Sequence, residues 1–352
     1  MTLLYGFVLT FLAGLSIGFC GWPMKWARTW KWENFWLTYS LFCLIIFPFG
    51  LAFWVLPHVG RVYASLTLFE ALKPFLFGAL WGFAQLGCGI CLHKLGFAVT
   101  NAVVNGVGAA FGTLLPLALL HRAMVFQTGG VLILSGTLLM SGGVALCGWS
   151  GCQRENEARR QGRGAGFSVK ESVMSQVVST QAGYILNVGM AAGSGVLSAF
   201  LNLALAYGDD IMQKVRVQGG QASWAPFAVW PIALLGGSLV NIAYCAYLLS
   251  HNRTWGKFRG SMRELVNPVL MGFMWMGGIA LYSSGTTFLG TLGVSIGYGL
   301  FMILVILVGQ WVAVFTGEWY RTRRATSGSF GAGIALLVLA FIAIGAANYI
   351  GK

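Results

Sequence analysis

Residues 74–92 read PFLFGALWGFAQLGCGICL, a block of nineteen residues without a charged side chain. A lipid bilayer has a hydrocarbon core about 30 Å thick, and about twenty residues of α-helix are needed to cross it. The block has this length and lacks the polar and apolar alternation of a barrel strand. It therefore predicts a membrane-spanning helix.

Blocks of the same kind recur along the chain and dominate its composition. Of the 352 residues, 57% are hydrophobic and 9% are charged, whereas a soluble domain has about 25% charged residues. Lipid offers backbone N–H and C=O groups no partners, so only helices and closed barrels cross it. The sequence predicts an all-α integral membrane protein with ten transmembrane helices, at residues 3–22, 34–56, 74–94, 97–119, 129–150, 184–206, 226–249, 268–288, 291–315 and 330–350.

The basic residues predict the orientation of these helices. When the loops are assigned alternately to two sides, sixteen of the 22 Lys and Arg residues fall on one side. Lys and Arg concentrate in cytoplasmic loops, so that side is predicted to be cytoplasmic and both termini periplasmic. The first span has no basic segment before it and no small-residue cleavage site after it, and we expect it to be retained.

A sequence repeat divides the chain into halves. A shift of 194 residues aligns residues 74–96 with residues 268–290 without a gap. Since the two copies are the third and eighth spans, five places apart, they have opposite orientations, as in the inverted repeats of many secondary transporters. We predict two inverted five-helix repeats, at residues 1–151 and 171–352, joined by a cytoplasmic linker at residues 152–170. The identical pairs are Pro74/Pro268, Leu76/Leu270, Gly78/Gly272, Trp81/Trp275, Leu95/Leu289 and Gly96/Gly290.

Several motifs also resemble those of a known family. They are Lys31-Trp32-Glu33 with Trp36, the run Pro74–Gly82, Gly112-Thr113-Leu114, Glu318-Trp319 and Ala346-Ala347-Asn348. On these residues the chain resembles, nearly from end to end, the L-rhamnose/proton symporters of the drug/metabolite transporter superfamily. The resemblance implies proton-coupled sugar uptake across a bacterial inner membrane. Residues 84–88 and 281–287 depart from the pattern expected of a rhamnose carrier, so the sugar stays open.

Polar side chains inside the spans are the candidates for binding an uncharged sugar, which needs hydrogen-bond donors and acceptors. Such side chains are costly at membrane depth. Asn101 and Asn105 are four residues apart and share one helix face. Each amide could instead simply join two helices, which contributes about 0.6 kcal/mol. The mid-span candidates are Gln85, Asn101, Asn105, Asn187, Asn202, Asn241, Tyr282 and Gln310.

Two tryptophans complete the predicted site. Trp81 and Trp275 occupy equivalent positions in the two repeats, and an aromatic ring offers a flat apolar face to the C–H side of a sugar. Packing or interfacial anchoring is the alternative role, and it is expected for most of the 14 Trp residues. The predicted substrate-binding set is Trp81, Gln85, Asn101, Asn105, Asn187, Trp275, Tyr282 and Gln310.

Proton coupling requires a group that titrates, usually a carboxyl group. None of the nine acidic residues falls in the middle of a predicted span. Glu33 and Glu318 lie near span ends and belong to the motifs that carry the family resemblance, so they are the candidates for proton coupling. Structural ion pairs with Lys31 or Arg321 are their alternative role.

Other classes of function have less support. The seven cysteines lie mostly in spans, and Cys88-x-x-Cys91 lacks the second pair of a metal site, so neither metal nor cofactor is expected. The basic residues are scattered over loops, which argues against nucleic-acid binding. No nucleophile with a base indicates an enzyme. The sequence does not determine the oligomeric state.

Two other transport functions stay open. An exporter or exchanger of another metabolite, such as an amino acid, a drug-like cation or a nucleotide sugar, could use the same fold. A channel is the second, although an inverted repeat favours a carrier. An anionic substrate is disfavoured because the basic residues lie in loops. The sequence therefore predicts a secondary active transporter that imports a neutral monosaccharide with protons across the lipid bilayer by alternating access.

Overall fold

The computed structural model describes residues 2–26, 29–95, 97–160, 181–259, 262–315, 319 and 322–350, and this part of the chain forms helices joined by short loops. Ten helical segments within it are long and apolar enough to cross a membrane. The prediction of an all-α protein with ten spans is confirmed. Because ten is even, the chain begins and ends on one face, which we call the terminal face; the other is the opposite face.

The ten helices follow one another with short connections. The short helix Asp209–Val217 comes after α6 and lies at the terminal face. The helices are α1 (Thr2–Phe19), α2 (Trp32–Val55), α3 (Leu68–Leu95), α4 (Phe97–Leu120), α5 (Thr128–Arg160), α6 (Gln181–Ser198 continued by Phe200–Ala206), α7 (Val229–His251), α8 (Met262–Phe288), α9 (Gly293–Phe315) and α10 (Arg324–Ile350).

Several helices extend beyond the predicted apolar blocks. Helix α3 begins at Leu68 rather than residue 74, and α5 continues to Arg160 rather than residue 150. Charged and polar residues form helix in water as readily as apolar ones, so hydropathy locates the bilayer and not the helix end. Residues 152–160 of the predicted linker are therefore helical, whereas its remainder falls in 161–180, outside the described residues.

Two helices are irregular for local reasons. In α2, Phe42–Ile46 forms a π-helical turn just before Pro48. Pro48 has no N–H group, so one backbone hydrogen bond of the α-helix is missing there. In α6, the hydroxyl of Ser198 donates to the carbonyl of Gly195 at 2.7 Å. The N–H of Ala199 instead reaches Val196 at 3.1 Å, which interrupts the helix.

The helix contacts relate the two halves of the chain. Helix α1 packs on α8 and α9, and α6 correspondingly packs on α3 and α4. The contact between α3 and α7 corresponds to the contact between α8 and α2. The contact between α4 and α5 corresponds to the contact between α9 and α10. The pairs α5–α10, α4–α9 and α2–α7 join equivalent helices directly. Exchanging helices five places apart therefore preserves this set of contacts, while the inverted repeat itself stays a prediction.

Glycines bring α3 and α7 into backbone contact. A Cβ atom on Gly78 would collide with the carbonyl oxygen of Ala233, and one on Gly236 would collide with that of Phe75. The same shift of 194 residues pairs Gly78 with Gly272, whose added Cβ would meet Cys43 of α2 at 3.2 Å. Small residues allow such close packing in membranes, where no hydrophobic effect drives helices together.

The substitution Gly78→Ala should destabilise the fold, because α3 and α7 must separate to accommodate one methyl group. We expect a loss of about 1–3 kcal/mol, as is typical of overpacking, measured as a lower thermal unfolding midpoint in detergent. Gly89→Ala on the same helix is the control, since its added Cβ meets nothing within 4 Å. Equal midpoints for the two variants would contradict the close contact.

Candidate substrate site

The two predicted tryptophans meet at the centre of the helix bundle. The rings of Trp81 and Trp275 have centroids 5.7 Å apart and planes inclined by 32°. Trp81 is the fourteenth of 24 residues in the candidate span Leu68–Cys91, and Trp275 is the twelfth of 25 in Glu264–Phe288. Both rings therefore lie near mid-membrane, where α3 and α8 face one another.

Two further tryptophans stand at equivalent positions around this pair. The shift of 194 residues aligns Trp36 of α2 with Trp230 of α7. The indole N–H of Trp36 donates to the amide oxygen of Asn241 at 3.2 Å, and that of Trp230 donates to the hydroxyl of Ser283 at 3.1 Å. Trp36, Trp81, Trp230 and Trp275 all belong to or pack against the same central cluster.

A hydrogen-bonded node joins three helices beside the tryptophans. Asn202, just after the break in α6, donates from its amide nitrogen to the carbonyl of Gly112 on α4 at 2.7 Å. The hydroxyl of Tyr282 on α8 donates to the amide oxygen of Asn202. Asn202 and Tyr282 are each 1% exposed. Since both polar groups of the Asn202 amide are paired, the node fixes α4, α6 and α8 relative to one another.

Aromatic rings from α9 close the same region. The ring of Phe301 stacks on Tyr282 with centroids 5.0 Å apart, and Tyr298 meets Tyr282 edge-on at 6.0 Å. Tyr298 also covers Gly112, where an added Cβ would collide with its ring. Glycine is thus required at this position of α4 for the tyrosine ring to reach the node.

The predicted binding residues fall into two groups. Trp81, Trp275 and Tyr282 lie in the central cluster, and half-buried Gln85 follows Trp81 by one turn of α3. Asn105, Asn187 and Gln310 lie in the halves of α4, α6 and α9 that are nearer the opposite face.

Asn187 has surroundings of its own. The backbone carbonyl of Asn187 accepts the Cys91 thiol at 3.7 Å, in a small cluster with Val104 and Ala191. The structure therefore does not bring Asn187 to the tryptophan pair. The side chain of Asn101 and the whole of Glu318 lie outside the described residues.

The relation to known proteins follows from nearly the whole chain. Residues 2–351 match the family model described as L-rhamnose-proton symport protein (RhaT). The chain belongs to this family. Relatives named L-rhamnose-proton symporter come from Mannheimia succiniciproducens (24% identical over 338 residues, 93% of each chain), Pectobacterium atrosepticum (25% over 334 residues, 92% of each chain) and Yersinia pestis (23% over 348 residues, 96% of each chain).

In this member of the L-rhamnose-proton symport family, Glu33 is a buried carboxylate with neutral partners. It is 5% exposed and accepts hydrogen bonds from the hydroxyl of Thr254 at 2.9 Å and the amide of Asn252 at 3.2 Å. Lys31 is exposed, and no ion pair between described residues includes Glu33. The suggested Lys31–Glu33 ion pair is therefore absent, because the two side chains point to different surroundings.

Two cavities open in the terminal half of this family member. One of about 520 Å³ is bordered by Tyr63, Thr67 and Ile232, and one of about 350 Å³ by Tyr5, Trp224 and Ser284. Neither is lined by the Trp81–Trp275 pair. The ring centroids of Trp81 and Trp275 are 5.7 Å apart, so a ligand between them would have to separate the two rings.

Sequence reasoning missed part of this centre. Trp36 and Gly112 were named only as parts of family motifs, and Trp230 and Tyr298 were not singled out. Extending the shift of 194 residues to α2 and α7 pairs Trp36 with Trp230 and would have identified both. For Tyr298 and Gly112 the sequence holds no comparable signal, because their contact depends on how α4 and α9 are rotated.

Proposed function

We propose that this protein imports L-rhamnose or a closely related neutral monosaccharide together with protons, by alternating access. The observation that carries the proposal is the contact of Trp81 and Trp275 at mid-membrane, from equivalent positions of α3 and α8. Membership of the L-rhamnose-proton symport family supports the same function. A bound sugar would enter between the two rings while one face is open.

The chemistry of this centre suits a deoxy sugar. L-rhamnose has a methyl group where most hexoses have a hydroxymethyl group, so one edge of the molecule is apolar. Aromatic rings can cover that edge and the C–H face of the sugar ring. Gln85 would supply hydrogen bonds to the hydroxyl groups, and the Tyr282 oxygen would accept one while its hydroxyl still donates to Asn202. Nearly all Lys and Arg residues lie outside the predicted spans, which disfavours a phosphorylated substrate.

Alternating access would use the two inverted five-helix repeats predicted at residues 1–151 and 171–352. The helix contacts that are preserved on exchanging helices five places apart support this repeat. In transporters with inverted repeats, the substrate site lies near the midplane and one unit rocks against the other. The tryptophan pair has the corresponding position, between the third helix of each half.

We also propose that the protein lies in a bacterial inner membrane with both termini in the periplasm. The basis is the concentration of Lys and Arg in the loops of the opposite face. Green fluorescent protein fused after Lys352 should then stay dark, since it fails to fold when exported unfolded, whereas a fusion within residues 161–180 should fluoresce. A bright carboxyl-terminal fusion would contradict this orientation.

For proton coupling we propose Glu33. Glu33 is a buried carboxyl group without an ion pair among the described residues, and it lies at the opposite face, where a proton would be released into the cytoplasm. The neighbouring loop between α7 and α8 supplies both of its hydrogen bonds. Protonation would weaken its capacity to accept them and so loosen this end of α2. Glu318, the other candidate, rests on its family motif alone.

Uptake into proteoliposomes tests the transport function. With an inward proton gradient, the purified protein should accumulate labelled L-rhamnose saturably, and a protonophore should abolish accumulation. Trp81→Phe should raise the KM about two- to tenfold, the loss expected from about 0.5–1.5 kcal/mol of ring contact. Trp54→Phe is the matched control, because Trp54 is 86% exposed on α2.

A second sugar tests whether the rings cover the methyl group, and two further results would contradict sugar import by a carrier. L-mannose, which differs from L-rhamnose by one added hydroxyl group, should compete more weakly if the rings cover the methyl group. No uptake of any sugar with or without the gradient would contradict sugar import and favour an exporter of another metabolite. Flux that does not saturate would instead indicate a channel.

The proton role of Glu33 has a separate signature. Glu33→Gln should retain exchange of labelled for unlabelled sugar but lose accumulation, so that the internal sugar concentration rises only to about the external one. The amide can still accept hydrogen bonds from Asn252 and Thr254 but cannot release a proton. Lys31→Gln should transport normally, since no ion pair joins the two. Full accumulation by Glu33→Gln would exclude it as the proton carrier.

A further inference from the structure

The repeat extends beyond the residues first aligned. The same shift of 194 residues aligns residues 67–81 with residues 261–275. Each segment begins with Ser or Thr and has Glu three residues later. The Pro, Leu, Gly and Trp residues that follow also match in position. The glutamates are Glu70 and Glu264, four residues before Pro74 and Pro268. They lie in the first turns of α3 and α8. Because five spans separate these two helix starts, Glu70 is at the terminal face and Glu264 at the opposite face.

At the terminal face, Glu70 binds the other half of the chain. Its carboxylate accepts the ammonium group of Lys214 at 2.7 Å. Lys214 lies on the short helix Asp209–Val217, directly after α6, and also donates to the carbonyl of Ser65 at 2.7 Å. The start of α3 is thus tied to the segment that follows α6.

At the opposite face, Glu264 makes the corresponding connection. Its carboxylate accepts the backbone N–H of Thr29 at 3.2 Å, in the segment that follows α1. The carbonyl of the same Thr29 accepts the ammonium group of Lys257, from the loop before α8, at 3.3 Å. The start of α8 is thus tied to the segment that follows α1.

The two connections are equivalent by position. In each, a glutamate in the first turn of the third helix of one half holds the segment after the first helix of the other half. One connection lies at each face of the membrane, and both cross between the halves. Alternating access requires the halves to part at one face while they stay together at the other.

Helix capping accounts for only part of this arrangement. Glu70 accepts the N–H of Thr67 at 2.6 Å, and its own N–H reaches the Thr67 hydroxyl at 3.4 Å, which together form a capping box. A capping box involves one helix end and needs no partner from the other half. The contact with Lys214 is therefore additional to capping.

We propose that Glu70 and Glu264 are the gating residues of the two faces. The Glu70–Lys214 contact closes the terminal face and breaks in the state open to that face, while the Glu264–Thr29 contact closes the opposite face and breaks in the other state. Each glutamate acts by positioning the halves and does not touch the sugar. The inference rests on the proposed transport function for its purpose, but its first test does not require sugar.

Hydrogen exchange of the full-length protein in lipid nanodiscs provides that test. Glu70→Gln should speed amide hydrogen exchange in residues 209–217 and slow it in residues 29–34. The substitution should shift the equilibrium towards the state that is open at the terminal face, and in that state the opposite face is closed. Glu264→Gln should do the reverse. A merely structural role would change exchange only at the mutated end. A change confined to that end, or no change, would overturn the proposal.

The matched control removes a neighbouring charge. Arg216 lies on the same short helix as Lys214 and pairs with Asp209 of that helix at 4.0 Å. Arg216→Gln should therefore leave exchange at both faces unchanged. A double variant that swaps the two charges, Glu70→Lys with Lys214→Glu, should restore the wild-type pattern of hydrogen exchange. Either single substitution should disturb that pattern. Failure of the exchanged pair to restore it would count against a specific contact between the two side chains.

Transport kinetics provide a second test, in which the two variants should change the KM in opposite directions. For sugar supplied at the terminal face, Glu70→Gln should lower the KM and Glu264→Gln should raise it, each about two- to fivefold, as the competent population grows or shrinks. Shifts in the same direction would overturn the gate assignment. If the wild-type protein transports no sugar but hydrogen exchange is reciprocal, the gates stand and the proposed function fails.

Discussion

Every polar group at membrane depth must find a partner inside the protein, because lipid provides none. This constraint makes each span a helix, and it also determines how the helices meet. The indole groups of Trp36 and Trp230 and the amide of Asn202 are all paired with a neighbouring helix. A few buried polar atoms in the described residues lack such a partner, among them the hydroxyl oxygens of Ser40 and Ser295. The paired groups concentrate at the centre, where α2, α4, α6, α7 and α8 converge.

Close backbone approach is the second condition of the fold. Without a hydrophobic effect between helices, their association depends on van der Waals contact, and glycine gives the shortest distance between axes. Gly78 and Gly236 serve α3 and α7 in this way, while Gly112 admits the ring of Tyr298 between α4 and α9. The glycines therefore do not merely loosen the helices. They bring the tryptophan and tyrosine rings of different helices into one cluster.

The helices could be predicted because a span is a local property: a block such as residues 74–92 meets lipid whatever its neighbours are. The contact of Trp81 with Trp275 could also be anticipated, since the repeat places both at the same position of equivalent helices. Asn202 and Tyr282 are 80 residues apart, and nothing in the sequence specifies the rotation of α6 and α8 that joins them.

The contrast between the centre and the ends of the bundle is what a carrier needs. The node of Asn202, Tyr282 and Gly112 is fully buried, so breaking it would leave polar groups unpaired and is costly. Glu70 and Lys214 are instead 20% and 30% exposed, and water can replace each partner when the contact opens. Contacts of this weaker kind can form and break at small cost while the centre keeps the helices in register. At the opposite face Glu264 is 7% exposed, so its contact with Thr29 opens less easily. A protein that is firm at mid-membrane can part at the terminal face without losing its fold.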